Sequence, residues 1–386
     1  MIVIQSNHTT IILICLISFQ LLVGCQQPDY PEFEEPVYTH TFRKAGTYEI
    51  EIDSVTASNF MHYQYYQDNG IEYFTFLNPI GQDIQFYDLN TKKLIYKIPL
   101  NFQGPESVGA LQGLYSGYHI HSLDSIFVLN RNTGKFYIVN SLSTIISDFD
   151  FVDDKANPTS LLGPFARPLI TNDKIYLMNN QSGIDYHSRN RKYGSDFASI
   201  IDLKNSKVED FMSYPDSYTK GIWGDFLHRK SWAIDEKNSK ILVSYPIDPQ
   251  LYEYNLAGQL VNTHMGPNSY FEGPKSMNRK QRSNKVEQNK YFLAQDRYGF
   301  INFDPFNQIY IRDSQAGINP DNPKMSMKSI RRMILFDKSV NKIGEFELPT
   351  FERLRVFFNK EGMHRITESE VENTLKLEKY ELVKIN

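Results

Sequence analysis

The chain has 386 residues, of which 41% are hydrophobic and 14% aromatic, and its formal net charge at pH 7 is −4. This length allows one large domain or two average ones, and the abundance of Phe and Tyr favours strands. The mild charge argues against a nucleic-acid partner and against an acidic tail.

The N-terminus carries an apolar run of thirteen residues, 11–23, followed by Gly24 and Cys25. Such a run is too short to span a bilayer and fits the central region of a signal peptide. Leu22-Val23-Gly24-Cys25 resembles the lipobox of bacterial lipoproteins, in which the Cys is acylated and becomes the mature N-terminus. Residues 1–10 depart from that pattern because they contain no Lys or Arg. The alternatives are an ordinary secreted protein and a buried N-terminal strand.

The sequence therefore predicts a signal peptide at 1–24, a lipidated Cys25 within an extended Pro- and Glu-rich tether at 25–39, and one folded domain at 40–386. The lipid on Cys25 would make the membrane a partner. The lipobox resemblance, with Gln26 rather than Asp after the Cys, implies the outer membrane and leaves its side open. Cys15 leaves with the signal peptide, so no thiol remains for a disulfide or a zinc-cysteine site.

From residue 40 onward, short aromatic and β-branched runs alternate with polar turns. Residues 84–100 form one such hairpin around Asn90-Thr91-Lys92-Lys93. The hairpin recurs at 136–151, 199–215, 251–266 and 333–349. In each copy an Asp or Asn ends the first strand, and an aliphatic residue follows six positions later: the anchors are Asp88, Asn140, Asp202, Asn255 and Asp337. This spacing is a blade-like repeat with insertions.

A second hairpin precedes each copy, which makes six inner hairpins against five outer ones. In the sixth copy, residues 379–385 supply the third strand, and residues 46–52 are the candidate for the fourth. Pairing the two ends of the chain would close a ring and leave no long free edge. We predict an all-β fold: a six-bladed β-propeller of four-stranded antiparallel blades, closed by its N- and C-terminal strands.

This arrangement resembles six-bladed propellers of the TolB-like and NHL-like kind. More narrowly, the lipobox, the segment GPESVG at 104–109 and the segment DSIF at 124–127 are similar to a Bacteroidetes lipoprotein family of unknown function, DUF4221. The resemblance implies a periplasmic or surface lipoprotein with a propeller. It implies no activity and supplies no catalytic residues.

In an antiparallel blade, the turns after strands one and three lie at one end, and the other connections lie at the opposite end. The long connections all belong to the second set: 101–117, 153–168, 179–196, 216–231, 264–298, 313–329 and 367–375. We call that end the loop-rich end and the other the short-turn end. Long loops in compact domains are often functional, so we predict a binding face at the loop-rich end.

Eight residues are candidates for that face. Trp223, His228 and Arg229 place an aromatic ring beside cations, which suits a carbohydrate or an anion, although a packed Trp with solvated neighbours is the simpler alternative. Arg167 begins an inner strand and could enter the central channel or form a structural salt bridge. The same alternatives hold for Asp296, Arg297 and Tyr298. Glu106 follows a Gly-Pro turn and could bind a metal or a sugar, or serve only in the turn.

Other patterns are less specific. The basic segment 279–290 reads as a solvated or disordered loop, with contact to phosphate or an acidic glycan as the alternative. His119 and His121 alternate on one inner strand, where they could be metal ligands or a packed pair. The known zinc, phosphate-loop and serine-hydrolase motifs do not occur, and the sequence indicates no metal and no particular cofactor.

These features favour a non-catalytic binding module, a lipid-anchored propeller that presents its loop-rich end to a glycan, a peptide or an envelope protein. The alternative is a propeller enzyme, such as a lactonase, a sugar dehydrogenase or a glycoside-acting enzyme, with its site at the mouth of the central channel. An enzyme should bring three or more acidic or His side chains together there. A binding module should expose aromatic side chains. A purely structural envelope protein is the third reading.

Overall fold

The computed structural model describes residues 32–111, 116–150, 158–164, 166–171, 173–181, 197–205, 207–321, 330–348 and 354–385. Cys25 and the predicted signal peptide lie outside these ranges. Within them the protein is nearly all β, with one α-helix and two 3-10 helices. No helix in the described part of the chain is long and apolar enough to cross a membrane.

The strands form six antiparallel blades. Strand β1 (His40–Glu51) belongs to the last blade. The first blade contains β2 (Tyr63–Asp68), β3 (Ile71–Asn78), β4 (Asp83–Asp88) and β5 (Lys93–Pro99), and the second contains β6 (Gly117–Ser122), β7 (Ser125–Asn130), β8 (Lys135–Val139) and β9 (Ile145–Asp150). The third contains β10 (Pro158–Leu161), β11 (Leu169–Thr171), β12 (Lys174–Gln181), β13 (Ala198–Asp202) and β14 (Lys207–Phe211).

The fourth blade contains β15 (Ser231–Asp235), β16 (Lys240–Ser244), β17 (Gln250–Asn255) and β18 (Leu260–Met265). The fifth contains β19 (Arg297–Asp304), β20 (Ile309–Gln315), β21 (Arg331–Phe336) and β22 (Lys342–Leu348), and the sixth contains β23 (Val356–Asn359), β24 (Gly362–Glu368) and β25 (Thr374–Lys384), which pairs with β1. The six-bladed propeller predicted from the hairpin repeat is confirmed. In the third blade the inner strand is split, because β10 and β11 both pair with β12.

The ring is closed by the two ends of the chain. Strand β1 pairs with β25 from His40 opposite Lys384 to Glu51 opposite Thr374, with a bulge between Lys44 and Gly46. The predicted closure is therefore confirmed, and its strand begins earlier than the expected residue 46. An ion pair of 2.5 Å between Lys44 and Glu378 adds a contact across the closing strands.

Inner strands expose an unpaired backbone edge to the channel, and side chains of neighbouring blades satisfy part of it. The amide of Gln64 accepts from the Ile120 backbone N–H and donates to the Ile120 carbonyl, both at 2.8 Å. Ser231 makes the same double contact with the Ile301 backbone. A buried backbone group without a hydrogen-bond partner costs free energy. These side-chain contacts avoid that cost and connect adjacent blades along the channel.

The α-helix, α1 (Lys285–Ala294), begins inside the segment 279–290, which was predicted to be a solvated or disordered loop. The loop expectation is therefore wrong for residues 285–290. The side chain of Asn284 accepts a hydrogen bond from the Glu287 backbone N–H at 3.0 Å and caps the helix. An Asn three residues before a Glu is a helix-start signal. The interpretation of this segment rested on its basic charge and did not use that signal.

Candidate ligand site in the central channel

The inner strands enclose a cavity of about 370 Å³. Its described lining residues come from five of the six blades: they belong to β2, β6, β19 and β23, to the turn after β19 and to the segment that precedes β11. Its size is within the range of small-molecule sites.

Aromatic rings form much of the wall. Tyr65 lies between Phe306, whose ring centre is 5.9 Å away in an edge-on arrangement, and Phe357, which is stacked at 6.4 Å. These three residues come from the first, fifth and sixth blades. Closure of the ring, rather than any local sequence pattern, brings them together.

Arg167 lines this cavity, as the sequence allowed. Its guanidinium also forms an ion pair of 3.1 Å with Glu236, in the short turn between β15 and β16. The Arg167 carbonyl accepts from the Trp232 indole N–H at 2.9 Å, which holds its backbone. Arg167 therefore lines the channel and also forms a salt bridge, so the two alternatives are not exclusive.

His119 and His121 also line the cavity. Burial, with smaller effects from Arg167 and His121, holds the pKa of His119 well below its ordinary value. The ring of His119 is therefore neutral near pH 7 and can both donate and accept a hydrogen bond. His121 is exposed.

Asn302 supplies a further donor. Its Nδ2 is buried and has no hydrogen-bond partner among the described residues. Sequence reasoning missed Asn302, since an Asn inside a strand carries no motif. An unpartnered buried amide next to a cavity calls for an explanation, and a bound ligand is one.

The cavity is accessible from the short-turn end. Five of its described lining residues are exposed: Gln67, His121, Arg167, Pro305 and Phe306. Gln67 and His121 lie near the ends of β2 and β6, and Pro305 and Phe306 lie in the short turn after β19. Arg167 precedes β11, but its guanidinium pairs with Glu236 in another short turn. No Asp or Glu is among the described residues that line the cavity. The described part of the chain also contains no group of three or more His, Cys, Asp or Glu arranged to hold a metal ion.

The other predicted residues lie elsewhere. Trp223 is 5% exposed and lines a separate cavity of about 210 Å³ together with Tyr298. Burial raises the pKa of Tyr298 to about 12, and the Arg312 guanidinium lies 3.7 Å from its ring centre. Trp223 therefore packs beneath its loop, which was the simpler of the two alternatives.

His228 and Arg229 are adjacent in sequence but differ in environment. His228 is 2% exposed, its ring packs against Tyr214 and Tyr218, and its Nδ1 contacts the Gly224 carbonyl. Arg229 is partly buried: its guanidinium lies 4.4 Å from the Phe226 ring centre and 3.6 Å from the Asp225 carboxylate. His228 is thus buried, whereas both interpretations of the sequence, a ligand-binding His and a solvated His, expected it to be exposed.

Asp296, Arg297 and Glu106 stabilise loops. Asp296 accepts from the Gly317 backbone N–H at 2.8 Å, and Glu106 accepts from the Ile145 backbone N–H at 2.9 Å. Arg297 stacks on Phe292 at 4.4 Å, and burial lowers its pKa to about 10. The structure therefore does not bring the eight predicted residues into one site, and Arg167 is the one that lines the central cavity.

Comparison with known proteins identifies the family. A family model described as "Domain of unknown function (DUF4221)" matches residues 39–347. The structure is similar to a crystal structure of a DUF4221 member from Bacteroides vulgatus ATCC 8482, with a TM-score of 0.75, 18% identity, and coverage of 90% of this chain and 99% of that chain.

A second similar structure is that of a candidate exported protein from Bacteroides fragilis NCTC 9343, with a TM-score of 0.51, 10% identity, and coverage of 89% of this chain and 97% of that chain. At these identities the likeness shows the fold alone. Comparison with curated proteins finds no significant match. Because the family model covers well over half of the residues, this chain belongs to the DUF4221 family.

Proposed function

We propose that this protein is a lipid-anchored envelope propeller that binds a small carboxylate-bearing ligand in its central channel without transforming it. One observation carries the proposal: Arg167, His121 and Asn302 offer donors to a cavity walled by aromatic rings, and none of its described lining residues is acidic. A cavity of this character favours an anion with a flat, partly apolar body.

The ion pair between Arg167 and Glu236 suits ligand exchange. Both side chains are more than half exposed, at 58% and 54%. An exposed pair of this kind contributes little stability, so redirecting the guanidinium to a ligand costs little. Arg binds carboxylates through two parallel hydrogen bonds, which would orient the ligand.

The aromatic wall supplies the second part of recognition. The rings of Tyr65 and Phe306 could pack against the C–H face of a sugar or against a peptide side chain. The carboxylate could thus come from an acidic glycan or from an acidic peptide. Both ligands carry the carboxylate that Arg167 would bind. The test below distinguishes the glycan from the peptide.

The enzymatic alternative has less support. It calls for three or more acidic or imidazole groups at the channel mouth, whereas the described lining residues supply two imidazoles, one of them held neutral by burial. The proposed site also differs from the predicted binding face. Four of the five exposed residues that line this cavity lie at the short-turn end, and the fifth, Arg167, pairs with Glu236 in a short turn. We therefore place the proposed site there rather than at the loop-rich end.

The test is calorimetric titration of the chain from residue 26, which includes every described element. The probes are tri-galacturonate and the peptide N-acetyl-Ala-Ala-Glu, each with its neutral counterpart, galactotriose or N-acetyl-Ala-Ala-Gln amide. We expect at least one acidic probe to bind more tightly than its counterpart. Arg167→Ala should weaken binding about tenfold or more, as expected for a lost charged hydrogen bond.

Two variants sharpen the result. Glu236→Gln frees the Arg167 guanidinium and should strengthen binding, whereas Arg43→Ala removes an exposed Arg on β1 and should change nothing. Unchanged affinity of the acidic probes in Arg167→Ala, or an equal loss of acidic and neutral probes in that variant, would contradict the proposal. Turnover of a probe would instead support the enzymatic alternative.

A further inference from the structure

A second concave site lies on the outer side of the propeller. It has a volume of about 590 Å³ and runs between the connection 212–220 and strand β17. Its described lining residues are all different from those of the central cavity. We call it the tyrosine groove, after Tyr214, Tyr252 and Tyr254, which line it.

The three tyrosines are only 6–8% exposed, so each presents a small part of its surface to the groove. Two of them are held by their hydroxyls. Tyr252 donates to the carboxylate of Asp248 at 2.7 Å, and Tyr214 donates to the His228 carbonyl at 3.0 Å. The aromatic surface is therefore positioned before any ligand arrives, which lowers the entropic cost of binding.

Polar groups lie among the rings. Ser217 lines the groove and is 6% exposed, and its Oγ is buried with no hydrogen-bond partner among the described residues. Gln250 is half-buried, and its side-chain oxygen has a long contact of 3.4 Å with the Tyr252 hydroxyl. A buried hydroxyl without a partner is unfavourable, and a ligand that both donates and accepts would satisfy it.

The rim carries balanced charge. Asp216 and Lys220 are both exposed and have opposite signs. The groove therefore lacks the positive bias of the central cavity and gives no preference for an anion. Interleaved rings and hydroxyl-binding groups suit a molecule with apolar C–H faces and many hydroxyls.

We propose that the tyrosine groove binds a neutral saccharide. The tyrosine rings pack against the C–H faces of the sugar, while Ser217 and Gln250 exchange hydrogen bonds with its hydroxyls. Asp248 is a positioning residue, because it is fully buried and holds the Tyr252 hydroxyl. The site is independent of the carboxylate site proposed for the channel.

The test is calorimetric titration of the chain from residue 26 with maltotriose, cellotriose, xylotriose and mannotriose. We expect saturable binding of at least one of them. Ser217→Ala and Gln250→Ala should each weaken it about fivefold or more, as expected for one lost neutral hydrogen bond. Ser217→Ala should not lower the unfolding temperature, because its Oγ makes no hydrogen bond with the described residues.

Two controls separate the possible outcomes. Ser339→Ala, on an exposed turn, should bind as wild type does, and Arg167→Ala should retain saccharide binding even where it loses the acidic probes. The proposal is overturned if none of the four saccharides binds at millimolar concentration, or if Ser217→Ala and Gln250→Ala both bind normally. Tight binding of the neutral peptide N-acetyl-Ala-Ala-Gln amide that is lost in Ser217→Ala would assign the groove to peptides and would also overturn the proposal.

Discussion

At the scale of single residues, buried polar side chains in this propeller connect neighbouring strands. His364 on β24 is an example. It is 1% exposed, its Nδ1 contacts the Tyr48 hydroxyl at 2.9 Å, and its Nε2 contacts Asn359 Oδ1 at 2.8 Å. Its ring also stacks on Phe357 at 4.9 Å. Since Tyr48 lies on the closing strand β1, His364 links that strand to the hydrophobic core.

Burial lowers the pKa of His364 from 6.5 to about 4, so folding should depend on pH. Between these values the unfolded chain binds a proton that the folded chain does not. The His364 contribution is fully present above pH 6.5 and falls as the pH drops, by about 3 kcal/mol near pH 4. His364→Gln removes the titration.

Urea unfolding between pH 7 and pH 4 tests this prediction. The variant should be less stable than wild type at pH 7, because the ring contact with Phe357 is lost, and its stability should fall less steeply with acid. Parallel pH profiles for the two proteins would show that His364 does not carry the expected proton linkage.

At the scale of elements, the segment before β1 is docked against the fifth blade. Within residues 32–39, Glu35 forms an ion pair of 2.5 Å with Lys342 at the start of β22. The Lys342 side chain is fully buried and also contacts Glu345 at 2.8 Å and the Pro267 carbonyl at 2.9 Å. Part of the predicted tether therefore packs on the propeller.

Removing Lys342 leaves Glu35 and Glu345 together without their cation. Lys342→Met should therefore lower the free energy of unfolding by about 3–5 kcal/mol. Glu35→Gln should cost less, because Glu345 still pairs with Lys342. Lys93→Met, on the exposed side of the first blade, is the matched control. Chemical denaturation measures all three, and a Lys342→Met protein as stable as the control would refute the argument.

The Glu35 carboxylate gives the same contact a pH dependence. Although burial alone would raise it, the pKa of Glu35 is lowered, because Lys342 and Tyr38 donate hydrogen bonds to the carboxylate. Its contribution to stability is therefore present above the ordinary Glu pKa and is lost as the pH falls below it.

At the scale of the whole molecule, the closing strand and the predicted lipid lie close in sequence. Cys25 lies ten positions before the docked Glu35, which is a span of at most roughly 35 Å. If Cys25 carries lipid, Glu35 and the part of the propeller that it contacts therefore stay within that distance of the membrane surface. The outer-membrane location and the lipid remain part of our proposal.

Metabolic labelling with palmitate tests the anchor. Wild-type protein should incorporate the label and fractionate with membranes, whereas Cys25→Ala should do neither, because the acylated thiol is gone. Cys15→Ala is the matched control and should label as wild type does. Equal labelling of wild type and Cys25→Ala would exclude the lipobox.

Much of the fold follows from short-range pattern. The hairpin at 84–100 corresponds to β4 and β5, and its repeat predicted the number of blades. The split inner strand of the third blade was not predicted. There Pro164 and Pro168 lie between β10 and β11, and Pro cannot donate to a strand ladder.

The candidate site was only partly predictable. Arg167 was identified because it begins an inner strand. Asn302 was missed, because its role depends on having no partner in the folded chain. His228 was misjudged, because the 3-10 helix Asp225–His228 turns its ring toward Tyr214 and Tyr218.

By itself, the sequence determined most of the strands, the blade count and the pairing of the first and last strands, because these depend on alternation and on the spacing between near neighbours. Only the tertiary structure decided which side chains share a cavity. Tyr65 meets Phe306 and Phe357 because the ring closes, although both lie more than 200 positions after it in the sequence. The exposed mouth of the channel depends on how side chains pack at the ends of the inner strands. No local sequence pattern predicts that packing.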